Sequence, residues 1–473
     1  LTTIPPCPLI AEISPPPDPE DLFLRLAGLP HVLFLDSALR DPVLGRYSFL
    51  SADPWDYFQA SPDDADSLGD LARRMAAFQA SSLPGLPPFQ GGAAGLLAYD
   101  LGRQLEKLPA PAVDEFRLPA MAIGLYDVVA AFDHLDRRFW IISQGFPERE
   151  PEARLLRARR RLGQFQDWLT SPPACNPRQP GHSALADLRP EDLAPCHQVP
   201  GREGLWSNFS ESAYLEAVRR AIAYIYAGDV FQVNLAQRLL ARAADDSVAL
   251  YLRLRKRNPA PFAGYFDLGT FQIASASPER FLRVADRQVE TRPIKGTRPR
   301  TSRPEADLFA GDELLGNEKE RAENVMIVDL LRNDLSRVCR PESVYVSQLC
   351  RLESYPFVQH LVSAVRGTLR DGCGPIALLR ASFPGGSVTG APKVRAMEII
   401  TQLEPTARGP YCGSLGYLGF DGSLDLSILI RTITAGRGWW QAPVGGAVVA
   451  QSKPRQEYEE TWHKAEGLLR AMW

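Results

Sequence analysis

The chain has 473 residues, 45% of them hydrophobic, enough to bury a large core as one large or two ordinary domains. Its 53 basic and 56 acidic residues leave a net charge of −3, which argues against a nucleic-acid or membrane-surface role but allows a locally positive pocket. Seven cysteines (Cys7, Cys175, Cys196, Cys339, Cys350, Cys373, Cys412) form no CxxC pair, and their odd number argues against a disulfide framework, so a reduced, cytosolic protein is expected. No basic segment followed by an apolar run suggests a signal peptide, and no run of about 18 apolar residues suggests a membrane span.

In chain order, residues 1–20 are Pro-rich and read as an extended arm. A short helix is expected from Asp21 to Leu29, then a buried strand in HVLFLDSA (31–38) with GRYSFLSADP (45–54) as its partner. GGAAGLLAYDLGRQLEKLP (91–109) is apolar and Gly-led, turning helical around Tyr99. MAIGLYDVVAAFDHLDRRFWIIS (121–143) predicts a hairpin turning at His134 to Arg137, and Glu150 to Leu169 a charged helix. Residues 1–169 thus read as an α+β region with antiparallel strands. Residues 170–208 are Pro- and Gly-rich without a sustained period and read as a linker or insertion. Their Cys175, His182, Cys196 and His197 lack the close Cys pair of structural zinc sites. Residues 209–473 are denser in motifs. A helix is expected from Ser210 to Gly228, capped by Ser210 or Ser212, then a strand over FQVNLAQRLLARA (231–243) and a helix from Asp246 to Arg257. NPAPFAGYFDLG (258–269) opens the next strand.

The stretch SPERFLRVADRQVETRPIKGTRPR (277–300) carries a carboxylate, Glu279, and an amine, Lys295. A strand from Phe271 through Phe281, a turn at 284–288 and a return strand from Gln288 to Ile294 would bring the two together. Ile294 and Gly296 give Lys295 an apolar side and a close-approach backbone. Desolvation there favours the neutral, nucleophilic amine, with a carboxyl beside it as general acid or base. The residues alone leave open a solvated Lys in a turn with Arg292, Arg298 and Arg300.

NEKERAENVMIVDLLRND (317–334) predicts a helix with Met326, Ile327, Leu330 and Leu331 on one stripe and Glu323 in line with it. A carboxylate on an apolar stripe calls for a positive partner, unless the stripe ends there and Glu323 is wet. FPGGSVTGAPKVRAMEII (383–400) is a Gly-rich loop opening a helix; Ala391 and Pro392 follow Gly390 where a phosphate loop needs Lys. Loop amides meeting a carboxylate fit better, with the Thr389 hydroxyl as a further donor. RGPYCGSLGYLGFDGSLDLSILIRT (408–432) predicts a hairpin turning at Asp421-Gly422 and ending in Arg431, a bidentate carboxylate partner among apolar neighbours. PRQEYEETWHKAEGLLRAMW (454–473) predicts a helix with Tyr458, Trp462, Ala465 and Leu469 inward; by physics alone Glu460 and Lys464 read as an exposed ion pair.

SPERF followed by PIKGTRPR resembles the signature of chorismate-utilising enzymes, and the Lys within PIKGT resembles the branch that aminates chorismate at C4; anthranilate synthases of the family carry Ala at that point. The resemblance spans about Leu33 to Lys464, most densely from residue 210 on. It implies an α+β fold of large antiparallel β-sheets packed as a sandwich with helices outside. It further implies Lys295 as nucleophile and Glu279 as acid. Gly296 and Thr297 are expected at the substrate ring and His360 in the pocket. Tyr411 and Arg431 are expected at the enolpyruvyl carboxylate, with Gly445, Gly446 and Lys464. Glu323 and Glu460 are expected to hold a magnesium ion. Ammonia would come from a separate glutamine amidotransferase subunit, since no Cys here lies in a GxCxG elbow. Two departures touch the pocket: Ala447 stands where a third Gly is common, and Gln451 where many relatives have Asp.

FLDSALRDPVLGRYSF (34–49) and Asn258 to Ala263 resemble the two segments that form a tryptophan pocket in the family. That places Ser37 and Ser48 at the amino-acid head, Tyr47, Phe49 and Phe262 around the indole, and Arg46, Pro261 and Ala263 nearby. The aromatics packing only against one another is the other reading. Another product from chorismate, such as anthranilate, isochorismate or salicylate, and a non-catalytic ligand-binding paralogue are the competing functions.

Overall fold

The computed structural model describes residues 7–171, 186–193, 195–300, 303–354 and 358–473. Residues 1–6 of the arm, Cys175 and His182 lie outside the described residues. Among the described residues eleven α-helices flank two antiparallel sheets of 13 and 10 strands. No helix among them is long and apolar enough to cross a membrane.

The first sheet pairs Leu33–Asp36 with Phe262–Asp267, and the second pairs Gly92–Leu97 with Ser414–Gly419, so both sheets draw strands from the early and the late halves of the chain. Their facing sides share one core, in which Leu96 and Leu415 of one sheet meet Phe266 and Trp439 of the other. Burying a side chain such as Phe266 is worth about 1.5–3 kcal/mol. Two further cores lie beneath the helices. The helix Pro454–Met472 packs Ala465, Leu468 and Leu469 inward. Ser210, not Ser212, caps the helix Glu211–Tyr226 by accepting from the Ala213 amide. In the 170–208 stretch, His197–Gln198 and Leu205–Ser207 extend the edge of the first sheet.

Three expected strands break where the chain changes sheets. The 121–143 run divides at Asp127: Met121–Tyr126 lies in the second sheet, while Val128–Asp133 and Arg138–Ser143 form their hairpin in the first. Buried Asp127 is held at 3.3 Å by both Arg157 and Arg161 of the helix Pro151–Thr170. The expected strand from Phe271 through Phe281 is Phe271–Ser277 in the first sheet and Arg280–Ala285 in the second, with Glu279 at the crossing. Its neighbour crosses at the same level, between Leu424–Ile428 and Thr432–Gly436, with Arg431 at the crossing. The Ile428 amide donates to the Glu279 carbonyl at 3.0 Å and the Ala276 amide to that of Arg431 at 3.0 Å, which ties the two crossings together. Backbone leaving a ladder frees its side chains from strict alternation, so both residues can face the gap between the sheets.

Candidate active site

Glu279 is buried, and its Oε1 accepts the Ser387 hydroxyl at 2.7 Å. Burial raises its carboxyl to about 7, against the Ser387 hydrogen bond, the Lys295 charge and the Ile294 amide. Lys295 reaches the site differently from a plain hairpin. Arg280–Ala285 and Gln288–Thr291 do pair around the turn at Asp286 and Arg287, but Ile294–Pro299 moves on to pair with Val358–Thr368, with an irregularity between Lys295 and Thr297. Lys295 Nζ donates to the Ser387 carbonyl at 3.2 Å, so one serine touches both groups. Burial lowers the Lys295 ammonium below the ordinary lysine range, against the charges of Glu323 and Glu279.

Gly296, at φ +74°, is the hinge of that irregularity: a Cβ there would stand 2.7 Å from Leu314 Cδ1 and collide with Glu320. His360 is buried opposite Thr297 in the register and bonds the Gly296 backbone. Burial and the charge of Arg431 press its ring down to about 4, so it is neutral. The Thr297 side chain lies outside the described part of the structure. Arg431 has a left-handed backbone (φ 52°), and burial alone shifts its guanidinium, downward, with no anion among the described residues beside it to raise it. A half-buried cation without a counter-ion among the described residues is a site for an anionic ligand. Tyr411 is buried next to Cys412, whose thiol is pushed to about 12 by burial and feels the Glu279 charge.

The Gly-rich loop comes between these groups and the helix Glu318–Ser336, with Leu330 filling the space a side chain at Gly386 would take. One expectation is corrected here: the Thr389 hydroxyl donates to the Gly385 carbonyl at 3.1 Å and holds the loop's own shape. A second correction concerns Glu323. The buried stripe of its helix is Asn324, Ile327, Val328, Leu331 and Leu335, and Glu323 stands at its border. Burial raises its carboxyl, partly offset by Lys295 and Lys319, with Glu457 and Glu460 adding repulsion.

Glu460 is about half exposed (48%) and pairs with Lys464 at 2.6 Å. Burial is outweighed by the Lys464 charge, and its carboxyl stands below the usual range. Lys464 Nζ also donates to the Gly445 carbonyl at 2.9 Å. A Cβ at Gly446 would stand 3.2 Å from Glu460 Oε1 and 3.5 Å from Glu457 Oε2, so glycine there leaves room before the carboxylates. The sequence reading missed Glu457, which is buried, accepts the Ser452 hydroxyl at 2.6 Å, and has an unpartnered Oε2. Its place one turn before Glu460 was the available signal. Ser387 was also missed, because nothing in the loop's sequence marks which hydroxyl meets the acid.

The hard oxygen donors of Glu323 and Glu460, with the orphaned Glu457 oxygen behind them, fit magnesium, which is commonly held by one or two carboxylates plus substrate oxygens. Among the described residues no three side chains form a metal cage.

The segments at 34–49 and 258–263 line an open cleft of about 100 Å³, so it is not closed by its own side chains. Ser37, Arg46, Tyr47, Phe49, Pro261, Phe262 and Ala263 face it. Ser48 does not: its Oγ receives the Ser37 amide at 2.9 Å and meets His134 Nε2 at 2.7 Å, behind the wall. The Ser37 hydroxyl donates to the Tyr47 carbonyl at 2.6 Å, and Arg46 is held by Asp133.

The family description "chorismate binding enzyme" matches residues 40–470. The chain is 46% identical over 389 residues to an anthranilate synthase component 1 of Thermus thermophilus, covering 82% of this chain and 79% of that one. It is 38% identical over 466 residues to an aminodeoxychorismate synthase component 1 of Klebsiella aerogenes, covering 95% of each. The crystal structure of anthranilate synthase component I from Streptococcus pneumoniae matches with a TM-score of 0.75 at 30% identity, over 91% of this chain and 93% of that one.

Proposed function

The chain belongs to the chorismate binding enzyme family, and on that premise we propose that it aminates chorismate at C4, giving 4-amino-4-deoxychorismate for p-aminobenzoate and folate synthesis. The observation that carries this reading is a half-buried lysine joined, through Ser387, to a carboxyl still partly protonated near neutrality. Lys295 adds its lone pair to C2, both conjugated ring double bonds shift toward C4, and the C4–O bond breaks as Glu279 gives its proton to the hydroxyl, which leaves as water. Ammonia then adds at C4, both double bonds return, and Lys295 departs as a neutral amine. The new C4 ammonium restores the Glu279 proton, so chorismate plus ammonia yields product plus water. Arg431, with Tyr411 and the Gly445-Gly446 backbone, takes the enolpyruvyl carboxylate, while His360 and Gly296 shape the ring's edge. Glu323 and Glu460 would hold a magnesium ion, which when bound neutralises the ring carboxylate.

Ammonia is supplied by a separate glutamine amidotransferase subunit, a reading supported by relatives named as component 1. The cysteines Cys7, Cys196, Cys339, Cys350, Cys373 and Cys412 are free thiols, which supports a cytoplasmic location. The second reading, anthranilate synthesis, is favoured by the 46% identity to a relative of that name. Lys295 within PIKGT weighs against it. Mass spectrometry of products from chorismate, magnesium and ammonium decides: 4-amino-4-deoxychorismate is expected, and anthranilate overturns the proposal. Glutamine in place of ammonium should support turnover only when the amidotransferase is added; glutaminase activity in this chain alone would refute the division of labour.

The cleft at Ser37 and Phe262 holds tryptophan as a filler without inhibiting the enzyme. Its aromatic lining supports this, with Tyr47, Phe49 and Phe262 facing the open cleft. Denatured protein should release tryptophan, while added tryptophan leaves the rate unchanged. Potent inhibition would move the function toward anthranilate synthesis.

A further inference from the structure

Ser387 lies in the short turn Gly386–Val388, buried between the two sheet crossings and the helix Glu318–Ser336. Its hydroxyl donates to Glu279 Oε1 and its carbonyl accepts from Lys295 Nζ. The two contacts use different parts of one residue, so the turn fixes acid and nucleophile relative to each other.

We infer that Ser387 is the positioning residue of this pair: its hydroxyl occupies Glu279 Oε1, leaving the acid's proton on Oε2, and its carbonyl takes an N–H of Lys295, leaving the amine lone pair directed away from the loop. In a neutral carboxyl the carbonyl oxygen is much the better acceptor, so the oxygen that takes the Ser387 hydroxyl is the unprotonated one and the other carries the proton. A neutral amine that spends one N–H on a carbonyl keeps its lone pair for attack. This inference rests on the proposed amination and adds to it how the two reacting groups are oriented.

The hydroxyl also tunes the acid. Burial raises the Glu279 carboxyl to about 7, and the Ser387 donor opposes the rise by favouring the ionised form. The other groups facing Glu279 are Lys295, the Ile294 amide and the Cys412 thiol, which is neutral at these pH values. A general acid works while protonated, so its contribution is present below its pKa and lost as pH rises through it. Removing the donor raises that pKa and moves the alkaline limb upward.

The test compares Ser387→Ala and Ser387→Thr with the unaltered chain over pH, with total ammonium adjusted to hold free ammonia constant. For Ser387→Ala the expected result is a kcat fall of about tenfold or more, little change in KM for chorismate, and an alkaline limb displaced upward by roughly one pH unit. Ser387→Thr keeps the hydroxyl and should retain the original limb. A uniform loss in Ser387→Ala without displacement overturns the inference, since a merely structural role lowers activity at every pH alike. If Ser387→Ala does not fold by circular dichroism, Ser387→Cys, whose thiol is a weak donor, is expected to show the displacement, and its absence is equally fatal. The unaltered chain must itself form an adduct on Lys295 with chorismate. Its failure to do so sinks the proposed amination, whereas an adduct with an unmoved limb sinks only the role of Ser387.

Discussion

Replacing Lys295 with Ala eliminates the covalent adduct and lowers kcat by about 10³-fold or more, because the difficult substitution at C4 loses its intermediate. In the unaltered chain, with ammonia withheld, the adduct should appear as added mass on the peptide containing Lys295. Lys295→Ala should still fold. Its removal takes a positive charge from beside Glu279, but that carboxyl, raised by burial to about 7, can take up a proton instead of remaining a stranded charge. Stability should therefore hold best below about pH 7, and loss of activity there cannot be ascribed to unfolding. Adduct on another residue, or undiminished turnover in the variant, would sink the covalent route.

Glu323→Gln and Glu460→Gln each raise the magnesium concentration for half-activity by about tenfold to a hundredfold. Calorimetric titration of Mg²⁺ in the presence of chorismate should show the same loss of affinity, which separates metal binding from turnover. The melting temperature should not fall in Glu323→Gln. Burial already raises the Glu323 carboxyl and both Glu457 and Glu460 repel it, so a neutral amide relieves cost there. Glu460→Gln also releases Lys464, which keeps its bond to the Gly445 carbonyl. Unchanged magnesium dependence in both variants would remove them as ligands.

The periodic elements were legible from sequence because periodicity is a local property. The helices Pro151–Thr170, Glu318–Ser336 and Pro454–Met472 and the turns at His134 to Arg137 and Asp421-Gly422 lie where pattern and turn residues put them. The buried stripe of Glu318–Ser336 was one position off, since what packs against a helix decides which of two adjacent residues is inside. The candidate site residues were legible mainly through motif resemblance. Spacing alone left Lys295 a solvated base, and it read Glu460 as half of an exposed ion pair with Lys464, which the structure shows.

What the sequence by itself determined is which chemistry-bearing residues exist and on which kinds of local element they sit. Only the tertiary structure decided that Glu279 and Arg431 sit at adjacent crossings between the two sheets, because a strand running from one sheet into the other looks continuous in its residue pattern, while each crossing breaks alternation. The same holds for Ser387, Glu457 and the turned-away Ser48: a hydroxyl or carboxyl has several partners within reach, and its choice depends on segments as much as 108 residues distant, as between Ser387 and Glu279. Desolvation, which sets the acid near 7 and weakens the lysine's proton, is likewise a property of the assembled interior and not of the residues in line.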